Sequence, residues 1–195
     1  FDLNDWLSGG YEKGIVSMVV GPAGSGKTNF GVLAACSQAK DHKVIFIDTE
    51  GGFSSERVKQ IVGDNNFERI LKNILLLNPT NFQEQKNCFS KLLDHLKGGQ
   101  VGLIVVDSMA MLYRLELGDA VQSSEDEKIQ EVNRDVARQM RTLVEISRKQ
   151  GIPVLITNQV YSGYLSEDDW RSGKERVINI VGGDLFKYWS KCIVQ

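Results

Sequence analysis

The chain has 195 residues, 42% hydrophobic and 25% charged, which is enough for one globular domain with a real core and too few to expect two. A formal charge of −2 gives no overall attraction to nucleic acid, so any DNA contact must come from a local patch. With no run of about 18 apolar residues, no signal peptide and three widely spaced cysteines, we expect a cytoplasmic protein without a membrane partner.

Apolar, strand-like runs alternate with helix-period stretches along the chain. The strand candidates are Val16–Val20, Val44–Asp48, Ile74–Leu77, Gly102–Asp107 and Ile152–Asn158. Most are continuous Val, Ile and Leu runs, as expected for strands covered on both faces. Helical spacing is found over Lys27–Lys40, Ser54–Val62, Asn81–Lys97 and Glu125–Gln150. This order predicts an α/β fold whose mostly parallel, twisted central sheet carries helices on both faces.

Two segments do not fit this alternation. Arg114–Ser123 is predicted to be a polar loop, and Val160–Lys174 mixes aromatic, acidic and basic residues without a clear period. Loops of this length in a compact domain are usually functional or disordered. Because the chain opens at Phe1 and stops inside an apolar run, we expect residues 1–195 to form a single core domain that is incomplete at both termini.

A glycine-rich segment between the first strand and the first helix matches the phosphate-loop pattern at every defined position: Gly21, Pro22, Ala23, Gly24, Ser25, Gly26, Lys27 and Thr28. Glycines let successive backbone N–H groups converge on phosphate oxygens, and the positive end of the following helix points at the same place. Lys27 supplies a charge to the β- and γ-phosphates, and the Thr28 hydroxyl is a ligand for Mg²⁺. The segment therefore predicts binding of ATP and Mg²⁺.

Other strands also end in polar side chains, where open α/β sheets place their ligands. Asp107 ends an apolar strand and, beside a phosphate loop, is expected to hold Mg²⁺ directly or through water. Glu50 is either a general base for the attacking water or a solvated turn acid, and position alone does not decide. Asn158 and Gln159 end the last strand, where an amide either contacts the γ-phosphate or caps the chain.

Together these strand ends resemble the RecA/RadA recombinase ATPase core, from about Leu7 to the end of the chain. The resemblance rests on residues 21–28, 47–53, 106–108 with 112–114, and 156–160. It implies a RecA-like phosphate-loop NTPase in which Glu50 and Lys27 are catalytic, Gln159 senses the γ-phosphate and Arg57 stacks on adenine. It also implies a first DNA-binding loop before Glu125 and a second from Val160 to about Ile180.

The closer similarity is to the archaeal RadB branch of that family, the short paralogs of RadA. Residues 48–54 and 78–85 carry it. The short stretch before Leu7 is what a paralog without the helical N-terminal domain of full recombinases is expected to have, and a chain truncated before Phe1 would give the same pattern.

The two loops differ in their suitability for DNA. The first has one arginine against five acids, a poor phosphate track. The second interleaves cations and aromatic residues, which favours single-strand binding: Tyr161, Tyr164, Trp170, Arg171, Lys174 and Arg176. A helical row of Arg134, Arg138 and Arg141 is better explained by ion pairs to Glu131 and Glu145, or by solvation, than by DNA contact.

Three functions fit these observations. The first is a RadB-like, DNA-associated accessory protein of recombination and repair that hydrolyses ATP slowly. Its partners would be single-stranded or branched DNA, bound through the 160–180 loop, and a main recombinase or DNA-processing enzyme. The second is the core of a strand-exchange recombinase, and the third is a nucleotide-gated protein-interaction module without DNA binding. Whether the chain forms a homo-oligomer is left open.

Overall fold

A computed structural model describes residues 12–124, 126–162 and 178–195. Its strands are β1 (Val16–Gly21), β2 (Lys43–Asp48), β3 (Ile74–Leu77), β4 (Val101–Asp107), β5 (Val154–Ser162), β6 (Ile178–Ile180) and β7 (Cys192–Val194). Its helices are α1 (Lys27–Gln38), α2 (Ser55–Val62), α3 (Asp64–Lys72), α4 (Phe82–Leu96), α5 (Met111–Gln122), α6 (Asp126–Gln150) and α7 (Asp184–Trp189).

The strands form a sheet in the order β3-β2-β4-β5-β1-β7, and every neighbouring pair in this row is parallel. The short strand β6 pairs with β5 in the antiparallel direction, Val160 lying opposite Ile180. The strands β2, β4, β5 and β1 are therefore consecutive neighbours, and their carboxyl ends meet at one edge of the sheet. The predicted α/β architecture is confirmed.

Side chains on both faces of the sheet are buried, which explains the continuous apolar runs. On one face, Phe46 and Val105 pack with residues of α1, α2 and α3, such as Val32 and Ile70. On the other face, strand residues such as Val106 pack with α4, α5, α6 and α7. Because adjacent residues of one strand point to opposite faces, each central strand contributes to both clusters.

Local signals explain several helix starts. The side chain of Asn81 accepts a hydrogen bond from the backbone N–H of Glu84 (2.9 Å) and caps α4, and Ser54 caps α2 by accepting from the N–H of Arg57 (3.4 Å). Gly63, at φ 74°, separates α2 from α3, a helix that the sequence did not predict.

The predicted polar loop at Arg114–Ser123 is wrong, because α5 occupies most of it. Leu112, Tyr113 and Ala120 of this helix are buried against the core, and the Tyr113 hydroxyl donates to Asn133 Oδ1 of α6 at 2.7 Å. Burial of these side chains against the core stabilises the helix, and a solvated loop would lack that stabilisation. The predicted second loop is also shorter at both ends, since residues 160–162 and 178–180 pair as strands.

Candidate nucleotide and metal site

The phosphate loop leaves β1 and turns directly into α1. Gly24 and Gly26 have φ values of 76° and 89°, a region in which glycine is favoured, and an added Cβ on Gly21 would lie 2.5 Å from Ser25 Oγ. No side chain caps the N-terminus of α1 and no acid lies in its first turn, so its backbone N–H groups face the loop uncapped. This arrangement suits an anion.

Lys27 opens α1 and is largely buried, with 8% of its surface exposed. Its ammonium donates to the carbonyl oxygen of Pro22 at 2.8 Å, so the charge is held over the concave side of the loop. Between them, Ala23, Gly24 and Ser25 are exposed and Gly26 is half-buried. A lysine in this position can bind phosphate oxygens as a compact positive charge.

The turn after β2 carries Glu50 and is organised by the carboxylate of Asp48. Asp48 Oδ1 accepts from the backbone N–H groups of Glu50 (3.2 Å), Gly51 (2.8 Å) and Gly52 (3.2 Å). Asp48 Oδ2 accepts from the N–H of Phe53 at 2.8 Å. Glu50 is half-buried, and its Oε1 lies within 3.4 Å of an amide donor on β5, described below. The turn thus presents Glu50 toward the neighbouring strand ends.

Asp107 ends β4 and is almost fully buried, with 1% of its surface exposed. The Thr157 hydroxyl donates to its Oδ1, whereas its buried Oδ2 has no hydrogen-bond partner among the described residues. Burial raises the pKa of the Asp107 carboxyl, the hydrogen bond from Thr157 and the nearby Thr28 hydroxyl lower it, and the charges of Glu50 and Asp48 raise it further. The net effect is a raised pKa, as expected for a buried acid beside two other carboxylates.

These groups fit Mg²⁺. A buried carboxylate oxygen without a partner, next to a threonine hydroxyl, is the oxygen donor set that Mg²⁺ takes together with nucleotide phosphates. Within the described ranges no cluster of three or more His, Cys, Asp or Glu side chains could hold a metal. An ion here would therefore depend on Asp107, Thr28 and the phosphates together.

Gln159 follows Asn158 near the middle of β5 and faces Glu50. Its Nε2 lies 3.4 Å from Glu50 Oε1, so the two side chains expected to contact the γ-phosphate region also contact each other. Asn158 is fully buried: its Oδ1 accepts from the N–H of Gln159 and its Nδ2 donates to the carbonyl oxygen of Val181, both at 2.8 Å. The N–H of Val181 donates in turn to the carbonyl oxygen of Gln159 at 2.9 Å.

The remaining predicted site residues are less constrained. Arg57 is exposed in the first turn of α2, and its stacking on adenine stays a prediction. Tyr161 lies in β5 with 55% of its surface exposed, available for a contact. The other predicted DNA residues lie outside the described residues: Tyr164, Trp170, Arg171, Lys174 and Arg176.

Two arginines of the row on α6, Arg138 and Arg141, form ion pairs, one of them with a partner that was not expected from the sequence. Arg141 pairs with Glu145 at 3.2 Å, and Arg138 pairs with Asp135 at 3.0 Å rather than with Glu131. Arg134 is exposed.

Three contributors to the site were not singled out by sequence reasoning. They are the Asp48 carboxylate as an acceptor for the turn, the Thr157 hydroxyl on Asp107, and Gly52, where an added Cβ would lie 2.9 Å from Thr28 Cγ2. An Asp followed by glycines is a signal for a side-chain-capped turn. A threonine at the end of an apolar strand carries no such signal.

The parallel sheet, with a phosphate loop after β1, an amide on β5 and acids at or just after the ends of β4 and β2, defines a RecA-like phosphate-loop nucleotide-binding core. The family model described as Rad51 matches residues 1–193, and the chain belongs to that family.

Curated relatives and a solved structure agree with this assignment. The chain is 38% identical over 196 residues to the DNA repair and recombination protein RadB of Methanobrevibacter smithii, covering 99% of this chain and 77% of that protein. It is 39% identical over 195 residues to the protein of the same description from Methanocaldococcus jannaschii, covering 99% of this chain and 82% of that protein. A solved structure described as the RadB recombinase matches with a TM-score of 0.66 and 32% identity over 86% of this chain and 71% of that chain. The chain is thus similar to RadB, the branch expected from sequence. In the described parts, no helix is long and apolar enough to cross a membrane.

Proposed function

We propose that the chain binds ATP with Mg²⁺, hydrolyses it slowly, and acts as a DNA-associated accessory protein in homologous recombination and repair. One observation carries this proposal: at the same edge of the sheet, Glu50 lies two residues after β2, Asp107 ends β4, Gln159 lies on β5 opposite Gly21, and the phosphate loop follows β1. Four neighbouring strands therefore place two acids, an amide and a phosphate-binding loop at one edge of the sheet. The RadB relatives, which are described as DNA repair and recombination proteins, support the biological setting.

In this proposal each side chain has a separate task. The N–H groups of the loop and of the first turn of α1 bind the phosphates, and Lys27 neutralises the charge on the β- and γ-phosphates. Glu50 accepts a proton from the attacking water, while the Gln159 amide orients that water or the γ-phosphate. Asp107 and Thr28 would hold Mg²⁺, which supplies positive charge to the phosphate oxygens when bound.

Gln159 also connects the nucleotide site to the segment that follows β5, so that a change at the γ-phosphate is transmitted to this segment. Its side chain contacts Glu50, while its backbone and that of Val181 are joined by a hydrogen bond, and Asn158 adds a second link to Val181. Residues 163–177 join β5 to β6 between these anchored positions. A movement of Gln159 toward the γ-phosphate would therefore pull on both flanks of the segment to which we assign the DNA contact.

A second candidate, the nucleotide-gated protein-interaction module, is favoured by the outer surface of α5. Met111, Leu115 and Val121 are exposed on this helix, and Leu115, with 59% of its surface exposed, lines a cleft of about 310 Å³ together with Gln159. Apolar side chains there suit a protein partner better than a phosphate backbone does. In this reading the partner is a recombinase or a DNA-processing enzyme, and its docking depends on the state of Gln159.

One experiment separates the candidates: ATP hydrolysis measured with and without single-stranded DNA, alongside DNA affinity at low and moderate salt. The accessory protein should show slow turnover and salt-dependent DNA binding without homologous strand exchange. Robust strand exchange and DNA-stimulated turnover would instead identify a competent recombinase. Negligible DNA affinity even at low salt, with ATP binding intact, would support the protein-interaction module as the function.

A further inference from the structure

The carboxylate of Asp48 is the most heavily hydrogen-bonded side chain near the candidate site. It is 2% exposed, and it accepts from the backbone N–H groups of four successive residues, Glu50 to Phe53, at 2.8–3.2 Å. Glu50 and Phe53 are half-buried, so their N–H groups need a partner within the protein, whereas those of the exposed Gly51 and Gly52 could otherwise bind water. One side chain therefore fixes the backbone of the whole segment that carries Glu50.

The same contacts argue against a direct role for Asp48 as a metal ligand. Oδ1 already accepts three N–H groups and Oδ2 accepts one, so both oxygens are committed to the turn. Asp107, by contrast, retains a buried Oδ2 without a partner in the described part of the chain. Of the two buried strand-end aspartates, only Asp107 has a free oxygen to offer.

The turn is also attached at two other points. The Thr49 hydroxyl donates to the carbonyl oxygen of Ser108 at 2.8 Å and accepts from the Ser108 N–H at 2.9 Å, which ties the start of the turn to the residue after Asp107. Gly52 lies against the Thr28 side chain so closely that an added Cβ would be 2.9 Å from Thr28 Cγ2. The path of the turn therefore determines where Glu50 stands relative to the proposed metal ligands Thr28 and Asp107.

We propose that Asp48 is a positioning residue that acts through Glu50: its carboxylate holds the 49–53 turn in the one path that places the Glu50 carboxylate beside Gln159. This inference rests on the proposed function, in which Glu50 is the base for ATP hydrolysis. Asp48 itself makes no contact with the reacting groups. Its loss should therefore affect the chemical step and leave the phosphate loop, and hence ATP affinity, intact.

The test is Asp48→Asn, in which the amide oxygen can still accept N–H groups but the amide NH₂ places a donor where an acceptor stood. We expect kcat for ATP hydrolysis to fall about tenfold to a hundredfold, because a displacement of about 1 Å in a reacting group costs that much. We expect the dissociation constant of ATP to change by less than about threefold, since interactions made only in the transition state leave binding unchanged.

A matched control removes the same kind of contact far from the site. The Glu84 carboxylate accepts from the backbone N–H of Thr80 at 2.7 Å and from its hydroxyl at 2.9 Å, at the start of α4. Glu84→Gln should leave kcat unchanged. A loss of kcat in Glu84→Gln equal to that in Asp48→Asn would show a general effect on stability and overturn the inference.

The decisive measurement is a double-mutant cycle. If Asp48 acts through Glu50, then Asp48→Asn should lower kcat by less than about twofold once Glu50→Gln is present, because the group it positions has lost its role. An equal factor in both backgrounds would overturn the inference, as would a loss of ATP affinity as large as the loss of kcat.

Failure of the proposed function is recognisable separately. If the wild-type protein binds ATP and Mg²⁺ without hydrolysing it, Glu50 is not a base, and hydrogen exchange decides whether Asp48 positions the turn. Asp48→Asn should then accelerate exchange of the amides of residues 50–53 at least about tenfold, with those of β4 unchanged. Unchanged exchange at residues 50–53 would overturn the positioning role itself.

Discussion

Substituting Gly52 by alanine tests whether the Glu50 turn and the proposed metal ligand Thr28 are mechanically linked. The added Cβ would lie 2.9 Å from Thr28 Cγ2 and 3.3 Å from Thr28 Oγ1. Since carbon atoms pack best at about 3.5–4.0 Å, the two segments must separate by about 0.5–1 Å. A shift of that size in a metal ligand or base should lower kcat/KM for ATP about tenfold to a hundredfold. The crowding should also lower the free energy of unfolding by about 1–3 kcal/mol.

The assay is steady-state ATP hydrolysis with Mg²⁺ titrated, together with thermal unfolding, and the control is Gly63→Ala. Gly63 has φ 74° with open space around its Cα, so alanine there is strained by its backbone and meets no neighbour. Gly63 has ψ 163°, and this combination is essentially restricted to glycine, costing another residue about 1–3 kcal/mol, so both variants should lose similar stability. Only Gly52→Ala should lose activity or require more Mg²⁺. Equal activity in the two variants would refute the idea that Gly52 sets the position of Thr28.

Other predictions address the remaining side chains. Lys27→Ala should abolish turnover and weaken ATP binding at least about tenfold by calorimetric titration, since a charge-assisted hydrogen bond contributes about 1.5–3 kcal/mol. Glu50→Gln should preserve the ATP dissociation constant and slow single-turnover hydrolysis about 10²- to 10⁴-fold, and equal turnover to wild type would show that Glu50 is not the base. Hydrogen bonds from the Thr80 N–H and hydroxyl lower the pKa of Glu84. The ionised Glu84 carboxylate therefore stabilises the fold at pH values above the ordinary carboxyl pKa, and this stabilisation is lost as the pH falls through the lowered pKa. The melting temperature of Glu84→Gln should therefore lie below that of wild type at pH 7 and converge with it in acid; a gap that widens in acid would contradict this assignment.

The sheet was predictable because its strands are buried on both faces, and α5 was not predictable because its pattern has no single apolar side. Its inward residues Leu112 and Tyr113 alternate with exposed Met111 and Leu115, so apolar side chains point in several directions. An amphipathic helix is recognised in a sequence by one apolar stripe, and α5 has no such stripe. The helix is established by tertiary contacts, such as the hydrogen bond from Tyr113 to Asn133 of α6, which no local pattern reveals.

The same limit applies to β6, α7 and β7, which the sequence did not predict. The strands β6 and β7 have three residues each, and each exists because a longer strand offers it an edge: β5 for Ile178–Ile180 and β1 for Cys192–Val194. Runs as short as Ile-Asn-Ile and Cys-Ile-Val are too common to indicate a strand alone. Pairing across the sheet supplies the missing information.

The residues of the candidate site differ in how far the sequence predicts their roles. The phosphate loop has a spacing of glycines, lysine and threonine that chemistry alone explains, so it could be recognised residue by residue. The acids Asp48 and Asp107 end apolar strands and Glu50 lies two residues after one, and nothing in their local sequence assigns them different tasks. The assignment follows from counting hydrogen bonds: Asp48 has no oxygen left, Asp107 has one buried oxygen without a partner among the described residues, and Glu50 is half-buried beside Gln159. Such a count depends on which backbone groups the fold brings to each carboxylate. The roles of these three acids are therefore set by the turn and the neighbouring strands, and their residue types alone do not distinguish them.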